Sequence, residues 1–120
     1  MTGGAQITQG GTQPRYEVFH TACAAREVVD HVTSRWGIWV LISLQSNDLR
    51  FFELRESIEG ISEKMLAQSL RALVKDGLVW RRVEPTTPPQ VTYGLTDFGR
   101  DVGEPLGELF DRITRRLPTP

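Results

Sequence analysis

Lys64, Gln68, Arg71 and Lys75 recur at intervals of four, three and four residues, the spacing that keeps side chains on one face of an α-helix. Three long cations around an amide, nearly opposite the apolar row Leu66, Leu70 and Leu73, have the chemistry to meet a polyanion. Ammonium and guanidinium groups neutralise phosphates. Gln68 and Arg71 also carry the hydrogen-bonding patterns that suit adenine and guanine edges in a major groove, whereas Lys64 and Lys75 suit backbone positioning. Any solvated amphipathic helix presents a similar stripe, so the elements around it must discriminate.

Ser62 can cap the start of this helix by accepting a free backbone N–H, and Gly77 ends it. Ahead of it, Phe52, Leu54, Arg55 and Ile58 form a shorter helical pattern closed by Gly60 in the left-handed cap position. Two helices joined so tightly predict a helix-turn-helix whose second member carries the cations. Leu78 to Val83 and Val91 to Leu95 then alternate as strands, joined by a tip at 84–90 in which Pro85, Pro88 and Pro89 forbid both helix and ladder. That hairpin is a candidate wing, and the whole is an α+β, mainly α, winged helix-turn-helix domain with a two-stranded wing.

The flanks supply the rest of the core. Ala25, Val28, Val29 and Val32 give one helical face over 22–32, and Trp36, Ile38, Trp39, Val40, Leu41, Ile42 and Leu44 make a second helix apolar on nearly every side. Leu49 to Phe51 is short enough for a single strand. A last helix begins at Thr96 and runs through Val102, Leu106, Leu109, Phe110 and Ile113. Its glycines each cost about 1 kcal/mol and an interior Pro105 about 3 kcal/mol, so something must pack against it. Either Pro105 starts a second helix after a kink, or a partner subunit holds the segment; dimerisation through these flanking helices is the favoured reading, with packing on its own domain as the alternative. The expected organisation is a flexible tail over 1–15, a single domain over 16–117 and a short tail over 118–120.

With 120 residues, the chain can bury one core. Its net charge of −1 argues against coating nucleic acid indiscriminately, since non-specific affinity comes mainly from neutralised phosphates. Distribution matters more: over 62–93 the cations Lys64, Arg71, Lys75, Arg81 and Arg82 outnumber Glu63, Asp76 and Glu84 by two, while Asp97, Asp101, Glu104, Glu108 and Asp111 gather in the last helix. The single cysteine, Cys23, excludes an internal disulfide, and with His20 and His31 it forms no convincing metal set. No cofactor, no bilayer-spanning run and no secretion signal are expected, which points to the cytoplasm. Neither a Gly-rich phosphate loop nor a nucleophile–base constellation suggests an enzyme. Trp36, Trp39 and Phe110 could line a pocket for a small-molecule inducer, with plain core as the alternative. A winged helix can also serve protein association without binding nucleic acid.

The chain resembles the HxlR family of winged helix-turn-helix transcription regulators, relatives of the MarR group. The resemblance runs from Cys23 to about Phe110. It rests on Cys23, Arg35-Trp36, Arg50-Phe51-Phe52-Glu53-Leu54-Arg55, Gly60-Ile61-Ser62, Leu66-Ala67-Gln68, Leu70-Arg71, Asp76-Gly77-Leu78-Val79, Pro88-Pro89 with Val91 and Tyr93, and Leu95-Thr96 with Gly99-Arg100. It implies a homodimeric repressor or activator on a palindromic DNA operator. DNA contact is then carried onto Ser62, Lys64, Gln68, Arg71 and Lys75, phosphate or minor-groove contact onto Arg81 and Arg82, and phosphate contact onto Arg50. It also implies redox sensing through Cys23, by a disulfide across the dimer or capping by a small thiol, while the neighbours Ala22, Ala24 and Ala25 equally suit a buried inert thiol. The chain departs from the family's common pattern with Ala24 in place of Pro, Thr33-Ser34 in place of Gly-Gly and Gln90 in place of a wing Arg. Trp80 stands where a charged residue is usual; its expected role is a strand residue covering the core, with packing on the wing or a ligand as the alternative.

Overall fold

Ser62 starts the central helix as its spacing predicts: its Oγ accepts the Met65 N–H at 3.1 Å. The computed structural model of the protein describes residues 19–20 and 23–118, so the expected tail at 1–15 lies outside the described residues, as do 119–120. Among the described residues the order is α1 (Ala24–Val32), α2 (Gly37–Ser43), β1 (Leu49–Arg50), α3 (Phe51–Ser57), α4 (Glu63–Lys75), β2 (Val79–Glu84), β3 (Gln90–Leu95) and α5 (Asp97–Arg116). The fold is α+β and mainly helical, with a helix-turn-helix formed by α3 and α4.

The apolar row of α4 is the centre of the core. Leu66, Leu70 and Leu73 are buried together with Val40, Leu41 and Leu44 of α2 and its end, Leu54 of α3, and Leu78 and Val79 beyond α4. Burying each such leucine contributes roughly 1.5–3 kcal/mol, so this row anchors α4 to its own domain. Gly60 (φ 89°) lets the chain turn between α3 and α4, and Gly77 (φ 82°) ends α4. At that end the Gly77 N–H donates to Val74 O at 3.0 Å and the Leu78 N–H to Leu73 O at 3.0 Å. Leu78 therefore belongs to the helix cap and not, as its pattern suggests, to the following strand, which starts at Val79.

The sheet is antiparallel with order β1-β3-β2. The hairpin runs in register from Val79 opposite Leu95 to Glu84 opposite Gln90. Glu84 and Gln90, expected in the tip, instead extend the ladder, because only positions 85, 88 and 89 lack a backbone donor. The wing is joined on its other side by Leu49 and Arg50, paired with Tyr93 and Thr92. This strand stops one residue earlier than expected: Glu53 accepts the Arg50 N–H at 2.8 Å, so α3 starts at Phe51.

α5 is one continuous helix with Pro105 inside it, not two segments. Its first half lies close to the domain at two glycines, since a Cβ at Gly99 would strike the Leu78 carbonyl and one at Gly103 the Gln45 amide. The Thr96 Oγ1 accepts the Gly99 N–H at 3.0 Å while its hydroxyl donates to Gly77 O at 2.6 Å. One side chain thus joins the end of α4 to the start of α5. Further along, Leu109, Ile113 and Leu117 remain about half exposed (49%, 50% and 60%). α2 is likewise less enclosed than its composition suggests: Trp39 keeps 38% of its surface, although it makes a T-shaped contact with Phe110 of α5, at a centroid distance of 5.4 Å and 87°.

Candidate nucleic-acid interface

A helix turns about 100° per residue, so the burial of Leu66, Leu70 and Leu73 sends Lys64, Gln68, Arg71 and Lys75 to the opposite side, where all four are exposed. α4 rides between two clefts. On the wing side, a cleft of about 680 Å³ is lined by Ala67, Arg71, Val74 and Lys75 of α4 and by Arg81 and Tyr93 of the sheet. On the other flank, a cleft of about 430 Å³ separates Met65, Gln68 and Ala72 from His31, Ser34 and Arg35 of α1 and the turn after it.

Strand alternation divides the two wing arginines. Arg81 sits opposite Tyr93 and lines the cleft beside α4, joining the stripe. Its neighbour Arg82 takes the other face of the sheet, where its guanidinium lies 4.9 Å over the Trp80 ring and 3.5 Å from Glu84. Trp80 does not cover the core: its indole lies over Gly94, where a Cβ would collide with the ring. The wing packing weighed for it as an alternative is what occurs.

Ser62 is at the head of the stripe; having used an oxygen lone pair for the cap, it keeps its hydroxyl proton to donate to an anion. Arg50 is exposed at the start of α3 and lines neither cleft beside α4. Lys75 is highly exposed and stands 4.0 Å from Glu27 of α1, a contact weak enough to exchange for a phosphate. Glu63, the carboxylate nearest the head of the stripe, is engaged by Arg55 of α3 at 2.8 Å, which offsets its repulsion of an incoming polyanion. Lys64, Arg71 and Arg81 have no ion pair among the described residues.

His31 Nδ1 lies 2.6 Å from Asp76 Oδ2, whose side chain is only 6% exposed, and so α1 is tied to the C-terminal end of α4. Sequence spacing gave no hint of this pair, 45 residues apart. Trp36 and Trp39 line a small cleft of about 230 Å³ with Ser43, Ser57 and Glu59. Phe110, expected in the same pocket, is not in its lining and reaches it only through its edge contact with Trp39. Cys23 is half-buried at the N-terminal boundary of α1, its backbone N–H bonded to His20 O at 3.1 Å. Among the described residues no group of His, Cys, Asp and Glu could hold a metal ion.

An exposed cationic helix, held by a tight turn after α3 and followed by a hairpin beside it, defines a transcription regulator with a helix-turn-helix DNA-binding fold. The chain belongs to the HxlR-like helix-turn-helix family, whose model matches residues 31–119. It is 48% identical over 101 residues to the uncharacterized HTH-type transcriptional regulator YtfH of Escherichia coli (strain K12), covering 84% of this chain and 80% of that one. The solved structure of ytfH from Salmonella typhimurium superposes with a TM-score of 0.78 at 47% identity, over 83% of this chain and 89% of the other. The redox regulator HypR in its oxidized form matches with a TM-score of 0.71 at 30% identity, over 82% and 100% of the two chains. Regulators of this family are not enzymes. No helix among the described residues is long and apolar enough to cross a membrane.

Proposed function

We propose that this protein is a homodimeric, sequence-specific regulator that reads a palindromic operator in duplex DNA with α4 of each protomer and acts there as a repressor in the cytoplasm. The observation that carries the reading is the stripe Lys64, Gln68, Arg71 with Arg81 beside it: its cations have no ion pair among the described residues, and the opposite face of α4 is anchored by the buried Leu66, Leu70 and Leu73. Gln68 and Arg71 read base edges, Ser62, Lys64 and Lys75 fix the backbone, and Arg81 reaches a phosphate or the minor groove. Arg82 and Arg50 act at the margin of this surface. The half-exposed row Leu109, Ile113 and Leu117 supports association through α5, which would set two half-sites about one helical turn apart or a multiple of it.

Two inputs could release the repressor. Likeness to HypR supports oxidation of Cys23, either to a disulfide with the partner's Cys23 or to a mixed disulfide with a small thiol; in each case two thiols lose two protons and pass two electrons to a peroxide-type oxidant. The Trp36 and Trp39 cleft offers a small-molecule inducer an aromatic wall. Selection of random duplex DNA by the purified protein at about 0.15 M ionic strength, with and without oxidant, tests the reading. A palindromic motif is expected, weakened by oxidant if Cys23 is the sensor. Enrichment of no motif under either condition would favour a protein-association module instead.

A further inference from the structure

We propose that Arg35 is a phosphate-binding residue, placed over the ring of Trp36, that grips the DNA strand on the flank of α4 opposite to Arg81. This rests on α4 being the reading helix. A helix lying in a major groove about 12 Å wide has a phosphate backbone on either side, so a balanced reader needs a cation on each flank. The wing supplies Arg81 on one side. On the other, no residue of the wing is present, and the cleft wall facing Gln68 is built from the turn after α1, where Arg35 is the cation.

The guanidinium of Arg35 lies 4.7 Å from the centroid of the Trp36 ring. A cation–π contact of this kind restrains a guanidinium without using up its N–H donors, which leaves them for contact with a phosphodiester. Trp36 is itself held. It is half-buried against the core, and its ring edge reaches to 3.8 Å of where a Gly60 Cβ would stand, at the turn that leads into α4. The platform under Arg35 is thus fixed to the same turn that aims the reading helix.

Charge pairing does not tie Arg35 down. Arg26, Arg55, Arg82 and Arg112 each meet a carboxylate, at 3.3, 2.8, 3.5 and 3.7 Å. Arg35 is exposed and, like Lys64, Arg71 and Arg81, has no ion pair among the described residues. Ser34 adds little competition, since its hydroxyl is spent on the His31 carbonyl at 2.8 Å and on the Gly37 N–H at 3.1 Å.

The test measures affinity of the full chain for its enriched duplex and for an unrelated duplex of equal length, between about 0.05 and 0.2 M salt. Each lost phosphate contact lowers the slope of log K against log salt by about 0.9, so Arg35→Gln in a dimer is expected to lower it by about 1.8, and to weaken both duplexes alike. Arg35→Lys should keep the slope while losing part of the affinity. Arg35→Gln with the parent slope, or a loss confined to the enriched duplex, would overturn the inference, as would Arg35→Lys behaving like Arg35→Gln. Arg71→Glu runs alongside: if the unaltered protein binds and Arg71→Glu does not, while Arg35→Gln keeps its slope, only the role of Arg35 fails. If the unaltered protein binds neither duplex, the DNA-reading function fails with it.

Discussion

α4 and α5 are both amphipathic helices on the outside of the same core, yet one is satisfied by its own domain and the other is not. The apolar row of α4 is buried to the last leucine, whereas the row that α5 continues beyond Phe110 stands half in solvent. Helices are held chiefly by the face they bury, not by propensity. Everything outward on α4 is therefore available for recognition without cost to the fold, while the outward apolar face of α5 asks for another surface. Pro105 sharpens the contrast: it removes one backbone donor in α5, and Gly99 and Gly103 repay this by letting the first half approach the Leu78 carbonyl and Gln45 closely.

The largest effect should come from breaking the satisfied side. Leu70→Ala should destabilise the domain by about 2–5 kcal/mol in chemical unfolding, with DNA binding lost alongside the fold. Arg71→Glu touches only the outward face, so it should weaken duplex affinity roughly a hundredfold in a shift assay and leave the unfolding midpoint and self-association unchanged. Leu109→Asp combined with Ile113→Asp tests the other helix. Sedimentation should show a monomer with an intact unfolding transition, and operator affinity should fall about tenfold or more as the two half-sites stop being read together. Unaltered association in that variant would remove α5 from the dimer interface. Ser62→Ala is the mildest, costing about 1 kcal/mol of stability through the lost cap, read as a small drop in midpoint.

The parts of the molecule that could be read from the chain are those governed by neighbours in sequence. Ser62, Gly60 and Gly77 act within a turn of where they stand, as Thr96 does in capping α5 though not in reaching Gly77, and the leucine row of α4 follows from its own period. Even there, the Schellman-type end of α4 captured Leu78 from the strand, because two hydrogen bonds back to Leu73 and Val74 outweigh an apolar pattern. What escaped depends on contacts across the fold. The His31–Asp76 pair joins elements far apart in sequence, as does the contact of Trp39 with Phe110. The division between Arg81 and Arg82 was available in the alternation of the strand, but only the placement of α4 against one face gives that alternation a meaning. Arg35 was visible only as part of a motif with its neighbour Trp36; the cleft it lines beside α4 is a product of the tertiary structure.

The threonine between β3 and α5 has a mechanical consequence. Because one hydroxyl both accepts from Gly99 and donates to the Gly77 carbonyl, the tail of α4 and the head of α5 cannot swivel independently. In a dimer assembled through α5, that hydroxyl is the pivot pin of a caliper: it converts any tilt between the two protomers into a change in the distance between the jaws. Thr96→Val would loosen the pin while keeping the side chain's shape, and the protein should then tolerate operators whose half-sites are set one base pair too near or too far.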